Sequence, residues 1–273
     1  MMVSYHACHK TAQYCCAFGV YGMFRLLRAR VAERFTPIIN GLLFGYKPGT
    51  NLQSNQPTIL SEEEQAIVDK YQILHYNKWM IEKFKTIEVS WMGYLALKTP
   101  SDLWVYQEIM TRCQPDLIIE CGTHMGGSSL YLASMCQLLG RGRVVTIDIN
   151  NPPGRPTHSL LTYIHGSSTD PRVVEQVTAL ARGTKRRMVI LDSDHSRDHV
   201  RAEMEIYKEF VGSGDYLIVE DSIVNGNPIL PDFGPGPMEA IQTFLPSNPD
   251  FTVDEACERL MATMNPRGFL RRN

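Results

Sequence analysis

The chain has 273 residues, a hydrophobic fraction of 44% and a formal net charge of −2. This length suits one large domain with an extension or two small ones, and the apolar fraction suits a soluble globular protein. The charge balance gives no sign of a nucleic-acid partner, and seven cysteines without a Cys-x-x-Cys pair argue for a reducing compartment and against a disulfide framework or structural zinc.

The first fifty residues hold six Lys or Arg and one acid, Glu33. Val20, Phe24, Leu27, Val31 and Phe35 recur at helical spacing, with Arg25, Arg28, Arg30 and Arg34 largely off that stripe. The apolar run before Arg25 is too short to span a bilayer, and no small-x-small site marks a signal peptide. A basic amphipathic helix over residues 12–35 fits two roles. It lies peripherally on an anionic membrane face, or it packs on protein. Gly45 to Pro57 is polar and turn-rich, so residues 1–60 read as a helical extension and linker.

Residues 61–98 read as cleft-covering helices at the start of the main domain, which spans 61–273. Ser61 followed by Glu62, Glu63 and Glu64 forms a capping box. The helix it opens is expected to run through Trp79 to about Phe84. Residues 86–98, with Trp91, Met92 and Tyr94, read as a segment over a cleft or as plain core aromatics. Thr99, Pro100 and Asp102 start a second helix, with proline at the first helical position. That helix leads to Cys113.

Leu117 to Ser129, LIIECGTHMGGSS, reads as strand, loop and helix N-terminus. An apolar run ends in Glu120, and Gly122, Gly126 and Gly127 follow. Glycine lets backbone N–H groups approach a ligand closely. The pattern is not the G-x-G-x-x-G of dinucleotide sites. An acid ahead of the loop suits a cofactor with a positive charge, such as the amino acid part of S-adenosylmethionine. The bland alternative is a tight structural turn.

From there strand alternates with helix. The helix Ser128 to Leu139 stops at Gly140, and the strand Val144 to Ile147 stops at Asp148. Residues 149–169 read as a loop holding the His165-Gly166-Ser167-Ser168 run. Asp170 and Pro171 open a helix that Gly183 ends. The strand Met188 to Leu191 stops at Asp192. Val200, Met204, Tyr207 and Val211 mark the next helix, and the strand Tyr216 to Val219 stops at Glu220 and Asp221. Near-continuous apolar runs are the mark of buried parallel strands, whose C-terminal ends share one edge and form the ligand crevice. Four strand ends with acids therefore converge on one cleft in a doubly wound α/β sheet. Residues 225–237, with four prolines and three glycines, form a stiff loop at the same edge.

Asp192, Glu220 and Asp221 carry the sharpest chemistry. Carboxylates this close repel, so something positive should sit among them. All-oxygen ligation suits magnesium before zinc. The bland alternative is three exposed loop acids. His195 lies three residues past Asp192. It either accepts a proton beside the metal or caps the helix starting near Asp198. Asp194 lies in the same turn and competes with Asp192 as ligand.

Asp192-Ser193-Asp194-His195-Ser196, Val219-Glu220-Asp221-Ser222 and the Asn225 to Pro237 loop resemble the rhamnosyl O-methyltransferase group. That group belongs to the family named after cephalosporin hydroxylase. Ser101 to Trp104, Tyr106 to Ile109, the Gly122 to Ser128 loop and Asn265 to Leu270 match as well. The resemblance covers roughly residues 70–273. Cys121 and His124 depart from the family, where an aromatic and an arginine are common. No His-x-Asp with a distant histidine supports an iron oxygenase.

The resemblance implies a Rossmann-like class I methyltransferase, a doubly wound, mostly parallel sheet with an N-terminal helical extension. It implies S-adenosylmethionine and Mg2+ as cofactors. Carried over, the metal ligands are Asp192, Glu220 and Asp221, and His195 is the general base. The cofactor site is expected at Glu120, Gly122, Thr123, Gly126, Ser128, Asp148, Ser167 and Asp192, with Glu120 on the methionyl amine and Asp148 on the ribose hydroxyls. The expected reaction is O-methylation of a sugar hydroxyl, on a rhamnosyl or other deoxyhexose residue of a glycolipid or natural product. The expected location is cytoplasmic or peripheral on the inner membrane face, and a homo-oligomer stays open. Two rival readings are a nicotinamide-dependent oxidoreductase on the same sheet and a non-catalytic, membrane-associated binding protein.

Overall fold

The computed structural model describes residues 56–78 and 89–273. The basic segment 12–35, nearly all of the linker and the stretch 79–88 lie outside the described residues. Helix α1, Glu62–Tyr76, opens on the capping box: the Ser61 N–H donates to Glu64 Oε2 at 2.8 Å, and the Glu64 N–H returns to Ser61 Oγ at 3.3 Å. Any continuation to Phe84 again falls outside the described residues.

Residues 89–98 are not helical. β1, Ser90–Trp91, and β2, Tyr94–Leu95, form a short antiparallel hairpin. Its turn is Met92-Gly93, both at positive φ, which suits glycine and ends any helix there. The Trp91 ring meets Tyr131 edge-on, centroids 4.9 Å apart, so the hairpin is pinned to the main domain. Helix α2, Pro100–Cys113, follows with Thr99 as its cap.

The main sheet has seven strands. β3 Leu117–Cys121, β4 Val144–Asp148, β5 Leu161–His165, β6 Arg187–Leu191 and β7 Tyr216–Val219 are parallel, in the spatial order β5-β4-β3-β6-β7. β9, Phe269–Arg272, pairs antiparallel with β7, and β8, Phe251–Val253, closes the edge. The crossovers carry α3 Gly127–Leu139, α4 Pro171–Ala181, α5 Arg197–Tyr207 and α6 Pro237–Phe244.

The pleat sends alternate side chains to two cores. Ile119, Val189, Leu191 and Val219 pack with Val177 of α4, Met204 of α5 and Ile241 of α6. Ile118, Val144, Ile190 and Ile218 pack with Ile109 of α2 and Leu132 of α3. Each such side chain contributes about 1.5–3 kcal/mol on burial, so the central strands hold the rigid edge from which the site is built.

The segment 149–169 is not all loop, because Leu161–His165 forms a strand. It is an edge strand, half-exposed and alternating, and lacks the continuous apolar run of the central ones. The C-terminal strands β8 and β9 are shorter, three and four residues, and offer no strand signal in the sequence. The four cysteines among the described residues are buried free thiols.

Beneath β3, at the edge opposite the cleft, Asp116 ties three segments together. Its Oδ2 accepts the Lys185 and Arg186 N–H groups at 2.9 and 3.0 Å, and Oδ1 meets Arg141 at 2.8 Å. Burial opposes the charge, but the two N–H donors and Arg141 outweigh it and hold the carboxyl at about 2. A depressed folded-state value stabilises the protein above the ordinary carboxylate range, and that stability is lost as pH falls towards 2. Asp116→Asn should lower stability at neutral pH by roughly 1–2 kcal/mol. The variant should then lose less than the native protein between pH 4 and 2. Urea unfolding across that range measures both effects, and parallel curves would remove Asp116 from the acid response.

Candidate active site

At the C-terminal edge of β3, β4, β6 and β7 lies a cleft of about 780 Å³. Strand alternation decides which acids meet there. Glu120 shares its face with Ile118, Asp192 with Ile190, and Glu220 with Ile218. All three therefore lean towards the α2–α3 side of the sheet. The group that compensates them comes from that side.

It is Lys98, which the sequence reading passed over. Lys98 follows the hairpin and directly precedes the Thr99 cap of α2. Its ammonium bridges Asp192 Oδ2 and Glu220 Oε2, the latter at 2.7 Å, and its side chain is only 4% exposed. Burial works against the charge, but Asp192, Glu220 and Glu120 outweigh it and push the ammonium above its ordinary range, so it stays protonated. The signal in the sequence was a lone lysine after an apolar run, Tyr94 to Leu97, just before a helix cap.

Glu220 has no free oxygen: Tyr106 of α2 donates its hydroxyl to Oε1 at 2.7 Å, while Lys98 holds Oε2. Burial first, and then the charge of Asp192, push the Glu220 carboxyl well up. Asn265 ties this buried network to the cleft, donating to the Tyr106 hydroxyl at 3.1 Å and accepting the Asp221 N–H at 3.0 Å.

Asp221 turns the other way. Its φ of +55° is a left-handed conformation unusual for a non-glycine residue, and the bond to Asn265 stabilises it. The turn carries its carboxylate to His195, whose Nε2 lies 3.2 Å from Asp221 Oδ2. His195 thus faces the cleft acids. The cap of α5 is Ser196. Asp194 bends back to accept the Ser196 N–H at 2.7 Å and does not join the cluster. Asp192, His195 and Asp221 each offer a ligand atom within 4.8 Å of the others. Glu220 is held apart from that group by Lys98 and Tyr106.

The glycine-bearing loop lines the same cleft through Gly122, Thr123 and Ser128. Gly122 has φ +98°, and a Cβ there would stand 1.8 Å from the Asp192 carbonyl oxygen. The glycine is therefore required where the loop crosses the end of β6, whatever it does for a ligand. Gly126 has another structural task, since a Cβ there would meet Pro156 at 2.9 Å. Glu120 and Gly126 are buried behind that lining. Glu120 accepts from the Ser128 hydroxyl at 2.7 Å and from the Ser129 hydroxyl, so it braces the start of α3. Its expected contact with a methionyl amine is not offered by this arrangement.

Asp148 lines the cleft, and its Oδ2 accepts the Thr123 and His124 N–H groups at 3.1 and 2.7 Å. Arg155, unread in the sequence, pairs with Asp148 at 3.2 Å and donates to the His124 carbonyl at 2.8 Å. Ser167 and Ser168 line the far end beside His199. Leu230 and Phe233 of the proline-rich segment, Val224 just before it, Tyr76 of α1 and Leu95 and Leu97 at and after β2 give the cleft an apolar part of its lining.

The model of the family described as Rhamnosyl O-methyltransferase/CmcI matches residues 83–273. The rhamnosyl O-methyltransferase of Mycobacterium tuberculosis is 41% identical over 206 residues, spanning 72% of this chain and 84% of that protein. That of Mycobacterium leprae is 40% identical over 205 residues, spanning 72% and 89%. Among solved structures, CmcI in an apo form aligns with a TM-score of 0.55 at 20% identity, over 87% of this chain and 94% of that one. A CmcI structure described as Mg-SAM aligns with the same score and identity, over 87% and 95%. The fold is that of the class I methyltransferases.

Gly122→Ala should be the most damaging small substitution in this loop, because the added methyl meets backbone and not a movable side chain. A loss of roughly 2 kcal/mol or more is expected. Thermal unfolding beside Gly140→Ala, where a Cβ meets nothing within 4 Å, gives the comparison. Equal losses would leave only the shared φ penalty and no clash with Asp192.

Proposed function

The chain belongs to the rhamnosyl O-methyltransferase/CmcI family and is an O-methyltransferase, and on that premise we propose that it methylates a sugar hydroxyl of a rhamnosyl or other deoxyhexose glycoside, with S-adenosylmethionine as donor and Mg2+ as the ion. Membership leaves no place for the nicotinamide oxidoreductase or the non-catalytic reading. One observation carries the proposal: His195, Asp192 and Asp221 stand together in a cleft that the glycine loop also lines. A donor bound along Gly122, Thr123, Asp148 and Ser167 would face an acceptor bound at the acids.

The donor set fits a hard cation. Asp192 and Asp221 offer carboxylate oxygens to one point, while Glu220, the third acid the resemblance implies, is engaged by Tyr106 and Lys98. When bound, magnesium would supply Lewis-acid polarisation of the acceptor hydroxyl. The rest is done by the chain. Asp221 orients the His195 ring through the 3.2 Å contact at Nε2. His195 takes the hydroxyl proton, since an imidazole is a poorer partner for magnesium than a carboxylate. S-adenosylmethionine, when bound, would supply an electrophilic methyl group to the acceptor oxygen, its carbon–sulfur electron pair staying on sulfur. The products are a methyl ether, a thioether and a proton on His195. The apolar lining of Val224, Leu230 and Phe233 limits water in the cleft and helps hold the reactants in line.

The same proposal places the enzyme in the cytoplasm or at the inner membrane face, through the 1–60 extension. No helix of the described residues is long and apolar enough to cross a membrane. Membrane contact by residues 12–35 would appear as binding to anionic vesicles that weakens with salt, since charges are screened beyond about 8 Å at physiological ionic strength. Deleting residues 1–50 should abolish it. A full chain that ignores vesicles leaves the segment as a helix that packs on protein.

The chemistry is tested by single-turnover methyl transfer to a rhamnoside, with and without chelator. His195→Ala should slow transfer about 10²–10⁴-fold while donor affinity, read by calorimetry, barely moves. A full rate in His195→Ala would end its role as base, and a native rate untouched by chelator would end the metal assignment.

A further inference from the structure

We propose that Lys98 is a built-in counter-ion of the metal site, a positioning residue that keeps Asp192 and Glu220 together and holds divalent-cation affinity down. The inference rests on the metal reading above and goes beyond it, because it assigns a second cation to the same acids.

Lys98 cannot leave for solvent. Its side chain is 4% exposed, and its ammonium contacts Asp192 and, at 2.7 Å, Glu220. The next residue, Thr99, is clamped through its hydroxyl to Asp102 at 2.6 Å, and Asp102 in turn accepts from Thr263 at 2.6 Å and from the Met264 N–H at 2.9 Å. On the other side the chain runs into the hairpin that Trp91 pins to Tyr131. The stem is thus held at both ends, and the charge is aimed at the acids.

A divalent ion among Asp192, His195 and Asp221 would share Asp192 with this ammonium. It would reach Glu220 only as Lys98 releases it. With the three acids ionised, Asp192, Glu220, Asp221 and Lys98 together carry −2, which one divalent ion neutralises. Two cations on one carboxylate repel, and in a buried setting that repulsion is weakly screened. Lys98 therefore does two opposing things. It lets three acids sit together when no metal is bound, and it makes the bound metal exchangeable.

The test is Mg2+ titration by calorimetry and Mn2+ titration by electron paramagnetic resonance on the full chain, the Lys98→Met variant and the Lys98→Arg variant. Circular dichroism reports whether each is folded. Lys98→Met should bind the ion about tenfold more tightly or better, and Lys98→Arg should stay near the native value. A purely structural lysine would give weaker or unchanged binding in a folded Lys98→Met, and that result overturns the inference while leaving the metal reading in place. Absence of binding by native protein and variants alike overturns both. Should Lys98→Met not fold, the native protein decides. With ¹⁵N-labelled lysine, the Lys98 ammonium resonance should shift at the same Mg2+ midpoint as the calorimetric isotherm, and a resonance unmoved at saturation overturns the inference.

Discussion

The constraint on which this molecule turns is electrostatic. Three carboxylates are delivered to one sheet edge by strands β6 and β7, and two of them, Asp192 and Glu220, share one ammonium. Left unpaired, buried acids this close would neutralise or move apart. Breaking a buried pair by removing one partner typically costs about 3–5 kcal/mol. The compensating lysine arrives from outside the parallel sheet, between a two-strand hairpin and the cap of α2. The position of α2 is therefore not neutral packing. It sets where Lys98 begins and where the Tyr106 hydroxyl reaches Glu220.

Sheet geometry supplies the rest. A parallel strand buried on both sides can end in an acid only at its C-terminal edge, where the crevice is open. The pleat then sorts these acids by parity. Ile118 and Glu120, Ile190 and Asp192, and Ile218 and Glu220 are consecutive same-face positions over one core. Asp221, one residue on, has the opposite parity, and its positive φ turns the chain out of the strand. Parity and turn together separate a buried acid, satisfied by α2, from a cleft acid facing His195. A strained residue at this point is what divides the pair Glu220-Asp221 between structure and chemistry.

Much of this was legible before any coordinates. The central strands announced themselves as apolar runs ending in acids, because burial on both faces leaves no polar alternation. The caps at Ser61 and Thr99 were equally plain, since orphan N–H groups demand such residues. What escaped reading had less periodicity to offer. Leu161–His165 is an edge strand whose outward side chains meet water, and β8 and β9 are only three and four residues long. Residues 89–98 continue an expected helical stretch, but Met92-Gly93 favours a turn, and the structure has a hairpin there. Lys98 and Arg155 escaped because each pairs with an acid far away in sequence, and one chain without its fold gives no sign of such pairs.

Glu120 shows why a motif and its geometry must be argued separately. An acid at a strand end before a glycine loop invites a role on the ligand, and the loop does line the cleft. Yet the parity that puts Glu120 beside Ile118 also aims it at α3, whose first turn offers Ser128 and Ser129. Its carboxylate then does what an anion at a helix N-terminus does, and stabilises the dipole end and the loop leading into it. Gly122 follows the same logic, with its missing Cβ turned to the Asp192 carbonyl. The loop is thus shaped first by its contact with β6, and only the backbone left facing the cleft is available to a ligand. Among the acids at the ends of β6 and β7, those the fold leaves half-exposed are Asp192 and Asp221, and both lie within reach of His195.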